Sequence, residues 1–383
     1  MNKKISIIYN HFPHYRLGVF NEIIKKFSCV TFLGDCKDYN DIKSIGFDKL
    51  KNVHRSRVFN IGPFVYQIGI IKYVIKSNDD AYIFLANPYF ISTWIASILC
   101  RLLGKNVIFW GHGFKNNSYS IKNIIRIFFF GIANSFYTYG YRAKLNAVSF
   151  GFNPDKIYVG FNSLNYDEQL SLRNFLISNA NVRSPDNTLN IVCISRLTKI
   201  CKYDLLFDAL ILFQSNYNIK TKTVVIGDGP ILSSLMRKAE ILKLDVEFIG
   251  ELYDEPIIAK YLFDADVAVS PGKVGLTAMH SLNYGTPVIS NNNFFNQMPE
   301  VESIVSGYTG YLFNNDSVED LSNKLLLISL NLHKNSCIKS NCFKMIDYVY
   351  NPRNQVEILS LAINKFVAPR GDNAFILFNN SND

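Results

Sequence analysis

One stretch of the sequence decides the fold class: Val267-Ala-Val-Ser270-Pro-Gly272-Lys273-Val-Gly275-Leu276, continued by Thr277-Ala-Met-His280-Ser-Leu-Asn-Tyr284-Gly285-Thr-Pro287-Val-Ile289. The apolar run before Pro271 predicts a buried strand, and the residues after Gly275 predict a helix. Gly285 is suited to end that helix, because glycine adopts the left-handed conformation that follows many helix C-termini. A strand, a helix and a second strand in this order are typical of a parallel α/β unit.

The same alternation of short apolar runs and helical patterns extends along both halves of the chain. With 383 residues, of which 48% are hydrophobic, the chain is long enough to form two cores. We therefore predict an α/β protein of two Rossmann-like domains that face each other across a cleft. The predicted parts are an N-terminal domain at residues 1–165, an Asn- and Ser-rich linker at 166–188, a C-terminal domain at 189–350, a helix at 351–367 that can return to the N-terminal domain, and a tail at 368–383.

The net charge is distributed unevenly. Residues 1–180 contain 22 Lys and Arg against 10 Asp and Glu, whereas the remainder contains 18 against 21. A basic and aromatic N-terminal half predicts an anionic partner. Nucleic acid is not expected, since no binding motif and no Arg tract is found. The segment Lys122–Phe130 mixes cations with bulky apolar residues, which is typical of a membrane interface, or of a buried helix whose two cations reach the surface.

The cysteines and the apolar segments indicate a cytoplasmic protein. Seven cysteines are scattered without a CxxC pair, which favours a reducing compartment and argues against disulfides and a zinc site. The N-terminus becomes polar too soon for a signal peptide. Residues 81–100 carry no charge, but Asn87-Pro88 interrupts them, so we predict a strand, a turn and a helix rather than a membrane span.

Several predicted strand ends in the second half are suited to bind an anion. Gly272 and Gly275 flank a helix start that has no acidic residue in its first turn, and free helix amides attract anions. Three cations, Arg196, Lys199 and Lys202, follow another strand. Because the carboxyl ends of parallel strands share one edge of the sheet, these groups are expected to lie near each other.

Taken in order, these elements resemble glycosyltransferase family 4, the retaining enzymes of the GT-B fold. The resemblance covers about 120 residues and rests on a series of motifs. They are SRLTK at 195–199, VVIGDGP at 224–230, FIGEL at 248–252, DADVAVSP at 264–271, GLTAMHSLNYGTPVIS at 275–290, MPEVESI at 298–304 and GYTGYLF at 307–313. Weaker matches in the first half are residues 10–18, 110–113 and 158–162.

The resemblance implies that the C-terminal domain binds a nucleotide-sugar donor and that the N-terminal domain binds the acceptor. The donor-binding residues that it implies are Arg196, Lys199, Lys202, Gly227, Gly229, Gly250, Leu252, Gly272, Lys273, Val274, Gly275, Leu276, Thr277, His280 and Glu300. The implied catalytic residues are His112, Arg196 and Glu300, where His112 and Glu300 lie near the donor sugar. The implied acceptor side contains His14, Tyr15, Arg16 and Gly18, with His11 in the same loop.

The sequence departs from the family pattern at three positions. Most relatives have a lysine where this chain has Cys201, so Lys199 or Lys202 would have to supply that charge. The family's two glutamates, separated by seven residues, are replaced by Gly272 and His280. A histidine can still bond a ribose hydroxyl, whereas glycine offers only its backbone. We interpret these changes as a divergent donor site.

The resemblance further implies a retaining transfer without a metal or another cofactor. Asp264-Ala-Asp266 has the D-x-D form of metal sites in another transferase fold, but here it lies at a helix-to-strand junction that disfavours gathered oxygen ligands. The expected partners are a nucleotide-sugar, a glycan or polyprenyl-linked acceptor, and the inner face of the cytoplasmic membrane. The expected setting is bacterial surface polysaccharide synthesis, such as O-antigen, capsule or lipopolysaccharide. Two alternatives stay open: a GT-B sugar-nucleotide epimerase, and a non-catalytic, membrane-associated sugar-nucleotide-binding subunit.

Overall fold

The computed structural model describes residues 3–35, 37–38, 43–180, 187–333 and 337–369. The chain forms two compact units. The first unit consists of residues 1–165 together with the chain from 351 onward, and the second consists of residues 166–350.

The first unit is a parallel α/β unit with a small hairpin. Its elements up to residue 165 are β1 (Lys4–His11), α1 (Leu17–Lys26), β2 (Cys29–Asp35), β3 (Val53–Arg55), β4 (Val58–Ile61), β5 (Phe64–Gln67), α2 (Ile70–Lys76), β6 (Ala81–Leu85), α3 (Ile91–Leu102), β7 (Asn106–Gly111), α4 (Ile121–Gly131), β8 (Ser135–Thr138), α5 (Tyr141–Ser149) and β9 (Ile157–Val159). Within the described residues, seven strands pair in the order β3-β2-β1-β6-β7-β8-β9. Strands β4 and β5 form a separate antiparallel hairpin.

The second unit repeats the parallel architecture. Its elements are α6 (Tyr166–Ser178), β10 (Thr188–Ile194), α7 (Tyr203–Tyr217), β11 (Lys220–Ile226), α8 (Leu232–Ile241), β12 (Val246–Gly250), α9 (Glu255–Asp264), β13 (Val267–Ser270), α10 (Leu276–Asn283), β14 (Val288–Asn291), β15 (Gly310–Phe313), α11 (Val318–His333) and α12 (Ile338–Tyr348). In the part of this unit that the structure describes, the sheet order is β12-β11-β10-β13-β14-β15. The order reverses between β10 and β13, which is where open α/β sheets bind ligands.

The last helix, α13 (Pro352–Ile363), returns to the first unit. Val356, Leu359 and Ile363 are buried in the core that covers one face of the first sheet, together with side chains of α1. The opposite face is covered by α2, α3 and α4, whose inward residues include Val74, Cys100 and Phe129. The first unit is therefore a three-layer structure. Residues before 166 and helix α13 both contribute to it, although they are distant in sequence.

The structure departs from the predicted domain boundaries at two places. The first part of the predicted linker 166–188 is the helix α6, and its Arg173 bonds Asp347 of α12 with N···O distances of 2.8 and 3.0 Å. This ion pair, in which Arg173 is buried and Asp347 is half-buried, holds the helix in the second unit. Residues 181–186 lie outside the described residues. In the predicted tail 368–383, Ala368 is buried and donates its N–H to Asp155, and residues from 370 onward are not described.

Residues 81–100 form β6, a turn and most of α3, as the sequence predicts. No helix among the described residues combines the length and the apolar character that a membrane span requires.

Candidate functional site

The candidate site of the second unit lies at the carboxyl ends of its strands, and its loops are held together through backbone contacts. The N–H of Leu197, after β10, donates to the carbonyl of Asp228, after β11, at 2.8 Å. A Cβ at Gly227 would lie 1.9 Å from the Ser195 carbonyl oxygen. Only glycine permits this approach, so the predicted Gly227 motif has a structural reason. A third strand end joins this group at Gly250, the last residue of β12. Its carbonyl oxygen accepts a hydrogen bond from the Gly227 N–H at 2.7 Å.

Gly272 is in even closer contact with the loop after β10. Its N–H donates to the carbonyl of Cys201 at 3.0 Å. A Cβ built on Gly272 would lie 1.8 Å from the carbonyl oxygen of Ile200. The absence of a side chain at 272 is thus a requirement of this backbone arrangement, and a carboxylate has no room there.

A polar clamp fixes the loop between β13 and α10. The side chain of Gln297 accepts from the Val274 N–H at 2.8 Å and donates to the Gly272 carbonyl at 3.0 Å. Asn291, at the end of β14, donates to the carbonyls of Pro271 and Gly272. Neither Gln297 nor Asn291 was predicted, because their role depends on contacts with a loop about 20 residues away in sequence.

Helix α10 directs the amides of its first turn toward this edge of the sheet. It begins after Gly275, and Thr277 donates its hydroxyl to the carbonyl of Ile194 at 3.1 Å, which places the helix start beside the end of β10. Among the described residues, no side chain caps this first turn and no acid lies in it. Such a helix start favours an anion.

The predicted cations differ in their surroundings. Arg196, Lys199 and Lys273 have exposed side chains. Lys202 instead contacts Asp316 at 2.5 Å and Asn315 at 3.0 Å. Cys201 points its thiol inward and donates to the Arg196 carbonyl at 3.0 Å, so it supports the backbone of Arg196 and supplies no charge.

His280 takes part in a polar cluster with Glu255. Its Nε2 lies 2.9 Å from Glu255 Oε1, which also accepts from Tyr284 at 2.6 Å and from Gln169 at 3.0 Å. Burial by itself would raise the pKa of Glu255, but the bonds from His280, Tyr284 and Gln169 outweigh it and lower that pKa. The sequence did not reveal Glu255. The imidazole that is predicted to contact a ribose is therefore the same one that bonds the Glu255 carboxylate.

Glu300 and Leu252 lie at the same edge. Glu300 is only 2% exposed and belongs to a short 3₁₀ helix, Pro299–Ser303. The hydroxyl of Ser303 donates a hydrogen bond to the backbone carbonyl of Glu300 at 2.7 Å. Leu252 follows β12 and is half-buried. The predicted proximity of the Glu300 carboxyl to a sugar stays a prediction, since the carboxyl is buried in this structure.

In the first unit, Arg16 is enclosed by aromatic side chains. Its guanidinium lies 5.1–5.3 Å from the ring centroids of Trp110, Tyr139 and Tyr9, and it donates to the hydroxyls of both tyrosines. It is 6% exposed. The structure thus departs from the predicted acceptor contact of Arg16, because the guanidinium holds the loop after β1 against β7 and the residue after β8.

The remaining predicted residues of the first unit lie around this cluster. The ring of His112 contacts that of Tyr139 edge-on at 4.9 Å, and the His112 side chain is exposed. Burial and the Arg16 charge lower the pKa of His11 to about 4. His14 is exposed and Tyr15 is half-buried, with their rings 5.7 Å apart. Gly18 has a packing reason, because a Cβ there would lie 3.1 Å from the Leu164 carbonyl oxygen.

The D-x-D sequence has a structural explanation. Asp266 accepts the N–H of Asn190 at 2.7 Å and so joins β13 to β10, while Asp264 bonds Lys260 at 3.1 Å. In the described ranges of the chain, no group of three or more His, Cys, Asp or Glu residues is arranged to hold a metal ion.

Comparison with known proteins shows that part of the chain, including this site, is similar to a described sequence family. Residues 177–343 match the sequence model of the family described as "Glycosyl transferases group 1". An uncharacterized 41.2 kDa protein in the cps region of Klebsiella pneumoniae is 30% identical over 227 residues, which are 57% of this chain and 58% of that protein. A GDP-mannose-dependent alpha-(1-6)-phosphatidylinositol dimannoside mannosyltransferase of Mycobacterium tuberculosis is 39% identical over 74 residues, 18% of this chain and 19% of the enzyme. The aligned part of the chain therefore spans little more than half of the first relative and about a fifth of the second.

Two solved structures resemble the chain over nearly its whole length. The apo form of the lipopolysaccharide outer core galactosyltransferase WaaB has a TM-score of 0.70 at 14% identity, covering 94% of this chain and 99% of WaaB. Anabaena HepE in complex with UDP has a TM-score of 0.68 at 14% identity, covering 95% of this chain and 100% of HepE. The predicted fold class is confirmed: the chain is an α/β protein with parallel sheets that matches these GT-B structures.

Proposed function

We propose that this chain is a retaining, metal-independent glycosyltransferase that moves a sugar from a nucleotide-sugar to a glycan or lipid-linked acceptor. One observation carries the proposal. The segment that matches the glycosyltransferase family, residues 177–343, is the segment in which the uncapped start of α10 and the exposed Arg196 lie at the switch point of the sheet.

The second unit is suited to hold a nucleoside diphosphate. Departure of that group leaves negative charge on its phosphates, and fixed cations and helix amides can stabilise the charge as it develops. We assign this role to Arg196 and to the amides of Gly275 and Leu276, with Lys273 beside them. HepE, one of the similar structures, is in complex with UDP, and this supports a nucleotide-sugar as the donor.

Of the two lysines that can replace the family's usual lysine, we assign the charge to Lys199. Lys202 already has an acidic partner in Asp316, whereas Lys199 is exposed three residues after Arg196. A lysine that must leave an ion pair to bind phosphate gains less from binding. Glu300 and His112 keep their proposed roles near the sugar, and His14 and Tyr15 their proposed roles toward the acceptor. Arg16 acts through the loop that carries them.

The biological setting that we propose is bacterial surface polysaccharide synthesis at the inner face of the cytoplasmic membrane. It is supported by the relative in a cps region and by the likeness to a lipopolysaccharide galactosyltransferase.

A thermal-shift panel of UDP-, GDP-, ADP- and CMP-sugars, each with and without EDTA, tests the donor and the metal. We expect one nucleotide series to stabilise the protein equally with and without EDTA. Sugar transfer is then measured with the donor that stabilises the protein and with lipid-linked glycan acceptors extracted from the source organism. Arg196→Ala should lower turnover by on the order of 10²-fold or more, whereas Arg237→Ala, an exposed arginine on α8, should not.

Each other outcome contradicts part of the proposal. Wild-type turnover in Arg196→Ala removes Arg196 from the site, and loss of activity in EDTA overturns the metal-free mechanism. Conversion of the donor into an isomeric sugar-nucleotide without any acceptor identifies an epimerase. Donor binding without turnover on any acceptor identifies a non-catalytic binding subunit.

A further inference from the structure

The carboxylate of Glu255 lies at the carboxyl edge of the second sheet, outside every motif of the sequence analysis. Glu255 is the first residue of α9 and follows the last residue of β12 by five positions. The side chain of Asp254 caps this helix by accepting a hydrogen bond from the Ile257 N–H at 3.1 Å, so the turn that carries Glu255 is fixed. The end of β12 belongs to the candidate site, because Gly250 accepts from the Gly227 N–H. Glu255 therefore lies beside the loops to which we assign the nucleotide.

The two oxygens of this carboxylate differ in their surroundings. Oε1 accepts three hydrogen bonds, from Tyr284 at 2.6 Å, from Nε2 of His280 at 2.9 Å and from Gln169 at 3.0 Å. Among the described residues, none donates to Oε2, and the Glu255 side chain is 24% exposed. A carboxylate has about four acceptor positions. The three donors therefore fix the group through one oxygen and leave the other able to accept from a ligand.

The same donors keep the carboxylate charged. Burial raises the pKa of Glu255, but the bonds from His280, Tyr284 and Gln169 outweigh it, so the pKa lies below its ordinary value and the group is ionised at neutral pH. Because an ionised carboxylate only accepts, the proton that His280 places in this bond is on Nε2. Tyr284 is fully buried, so its hydroxyl can act on a ligand only through Glu255. The cluster is thus suited to present one charged acceptor oxygen.

The cluster lies about one helical turn from the proposed phosphate position. His280 follows Leu276, at the uncapped start of α10, by four residues, so the two residues share a helix face and are about 6 Å apart along its axis. In a nucleoside diphosphate the ribose is attached directly to the phosphates. A diphosphate at the start of α10 therefore brings the ribose hydroxyls to the level of His280 and Glu255. In dinucleotide-binding α/β domains, a carboxylate accepts a hydrogen bond from the ribose 2′-hydroxyl.

We propose that Glu255 binds the ribose 2′-hydroxyl of the donor through Oε2, and that His280, Tyr284 and Gln169 are positioning residues that hold it there. This inference rests on the proposed function, because it needs the diphosphate at the start of α10. The carboxylate that position 280 lacks is then supplied by the first turn of α9, and His280 joins the two helices. The site consequently selects ribonucleotides over deoxyribonucleotides.

Calorimetric titration of the full chain with UDP, GDP, ADP and CMP, and with the 2′-deoxy form of each, tests the proposal. For the nucleotide that binds, we expect the wild type to prefer the ribose form by about 10–100-fold, the factor given by one hydrogen bond to a charged group. Glu255→Gln should weaken binding of the ribose form by about this factor and barely change binding of the deoxy form. Tyr284→Phe should lower the preference about 3-fold, although Tyr284 cannot touch the nucleotide.

Glu240→Gln, a change of an exposed glutamate on α8, is the matched control and should leave both affinities unchanged. If Glu255→Gln weakens the ribose and deoxy forms equally, the carboxylate only holds the helices together and the proposal is overturned. A preference that survives Glu255→Gln but is lost in His280→Asn overturns it as well, because the imidazole is then the ribose ligand. Failure of all four nucleotides to bind contradicts the proposed function itself, whereas binding without a ribose preference contradicts only the assignment of Glu255.

Discussion

Restoring a side chain at position 272 should damage the protein rather than repair a missing acid. In Gly272→Ala, the new Cβ would lie 1.8 Å from the Ile200 carbonyl oxygen, whereas contacts below 3.0 Å are essentially never seen for a real Cβ. The loop after β10 must move by more than 1 Å, and the atom that blocks it is backbone. The N–H bond from Gly272 to the Cys201 carbonyl, now 3.0 Å, would be lost with that movement.

The expected loss of stability follows from these two effects. An overpacked site costs about 1–3 kcal/mol, and a lost internal hydrogen bond about 1 kcal/mol, so we expect the free energy of unfolding to fall by about 3 kcal/mol. For a unit of this size the melting temperature should fall by roughly 6–12 °C. Gly272→Glu should cost at least as much. Nucleoside diphosphate affinity should also fall, because the moved loop carries Arg196 and Lys199.

Urea denaturation and calorimetric titration with the nucleoside diphosphate measure the two effects. Gly131→Ala is the control, since a Cβ there has no atom within 4 Å. If Gly272→Ala and Gly131→Ala unfold at the same urea concentration and bind equally well, the close contact between residues 272 and 200 is not a feature of the protein in solution.

Three further predictions concern the polar groups of the two units. Gln297→Ala should weaken nucleoside diphosphate binding about 10-fold, because it removes bonds that shape the loop before α10; Asn296→Ala, a change of an exposed neighbour, should leave the affinity measured by calorimetry unchanged. His11 has a folded pKa of about 4 against an ordinary value of 6.5, so the unfolded chain binds the extra proton and stability is lost as the pH falls through this window. The loss should reach about 3 kcal/mol, and urea midpoints of His11→Asn at pH 7 and pH 4 should differ by less than those of the wild type. The pKa of Glu255 is lowered, so its carboxylate stabilises the fold at pH values above its ordinary pKa of 4.5, and this contribution is lost as the pH falls below that value. At pH 7, Glu255→Gln should lower the free energy of unfolding, measured by urea denaturation, by about 1–3 kcal/mol. Glu251→Gln, a change of an exposed residue, should change it by almost nothing.

The sequence was most informative where strands are buried on both faces. The two strands predicted before Pro271 and after Gly285 are present in the structure as β13 and β14, because parallel strands covered by helices are continuous apolar runs. The hairpin β4–β5 was not predicted; its Phe59 and Ile61 lie on one face of β4 that is exposed instead of packed in the core. The sequence predicts a linker where α6 lies, because the buried face of this helix includes the polar Gln169 and Arg173, whose partners lie on α9 and α12.

Among the site residues, too, some positions were predictable from the local sequence and others were not. Glycine positions such as Gly227 were predictable, because a backbone that approaches another backbone excludes every other residue type. The surroundings of cations were not. The partner of Lys202 is 114 residues away. Two of the three rings around Arg16, those of Trp110 and Tyr139, lie more than 90 residues further along the chain. Local sequence suggests an exposed cation in both cases, and only the fold supplies the groups that bind it.

The return of α13 to the first unit has a consequence for synthesis on the ribosome. Gln355 donates to the Phe161 carbonyl at 3.0 Å and accepts from the Ser163 hydroxyl at 2.6 Å, while Leu359 and Ile363 close the core beneath β1 and α1. The amino-terminal sheet emerges first but lacks this cover until residue 363 has been translated. The second unit, residues 166–350, is then the first part of the nascent chain able to complete its own core. The sheet of the first unit therefore keeps an exposed apolar face until α13 is made. The two units complete their cores in the reverse of the order in which their sheets are translated.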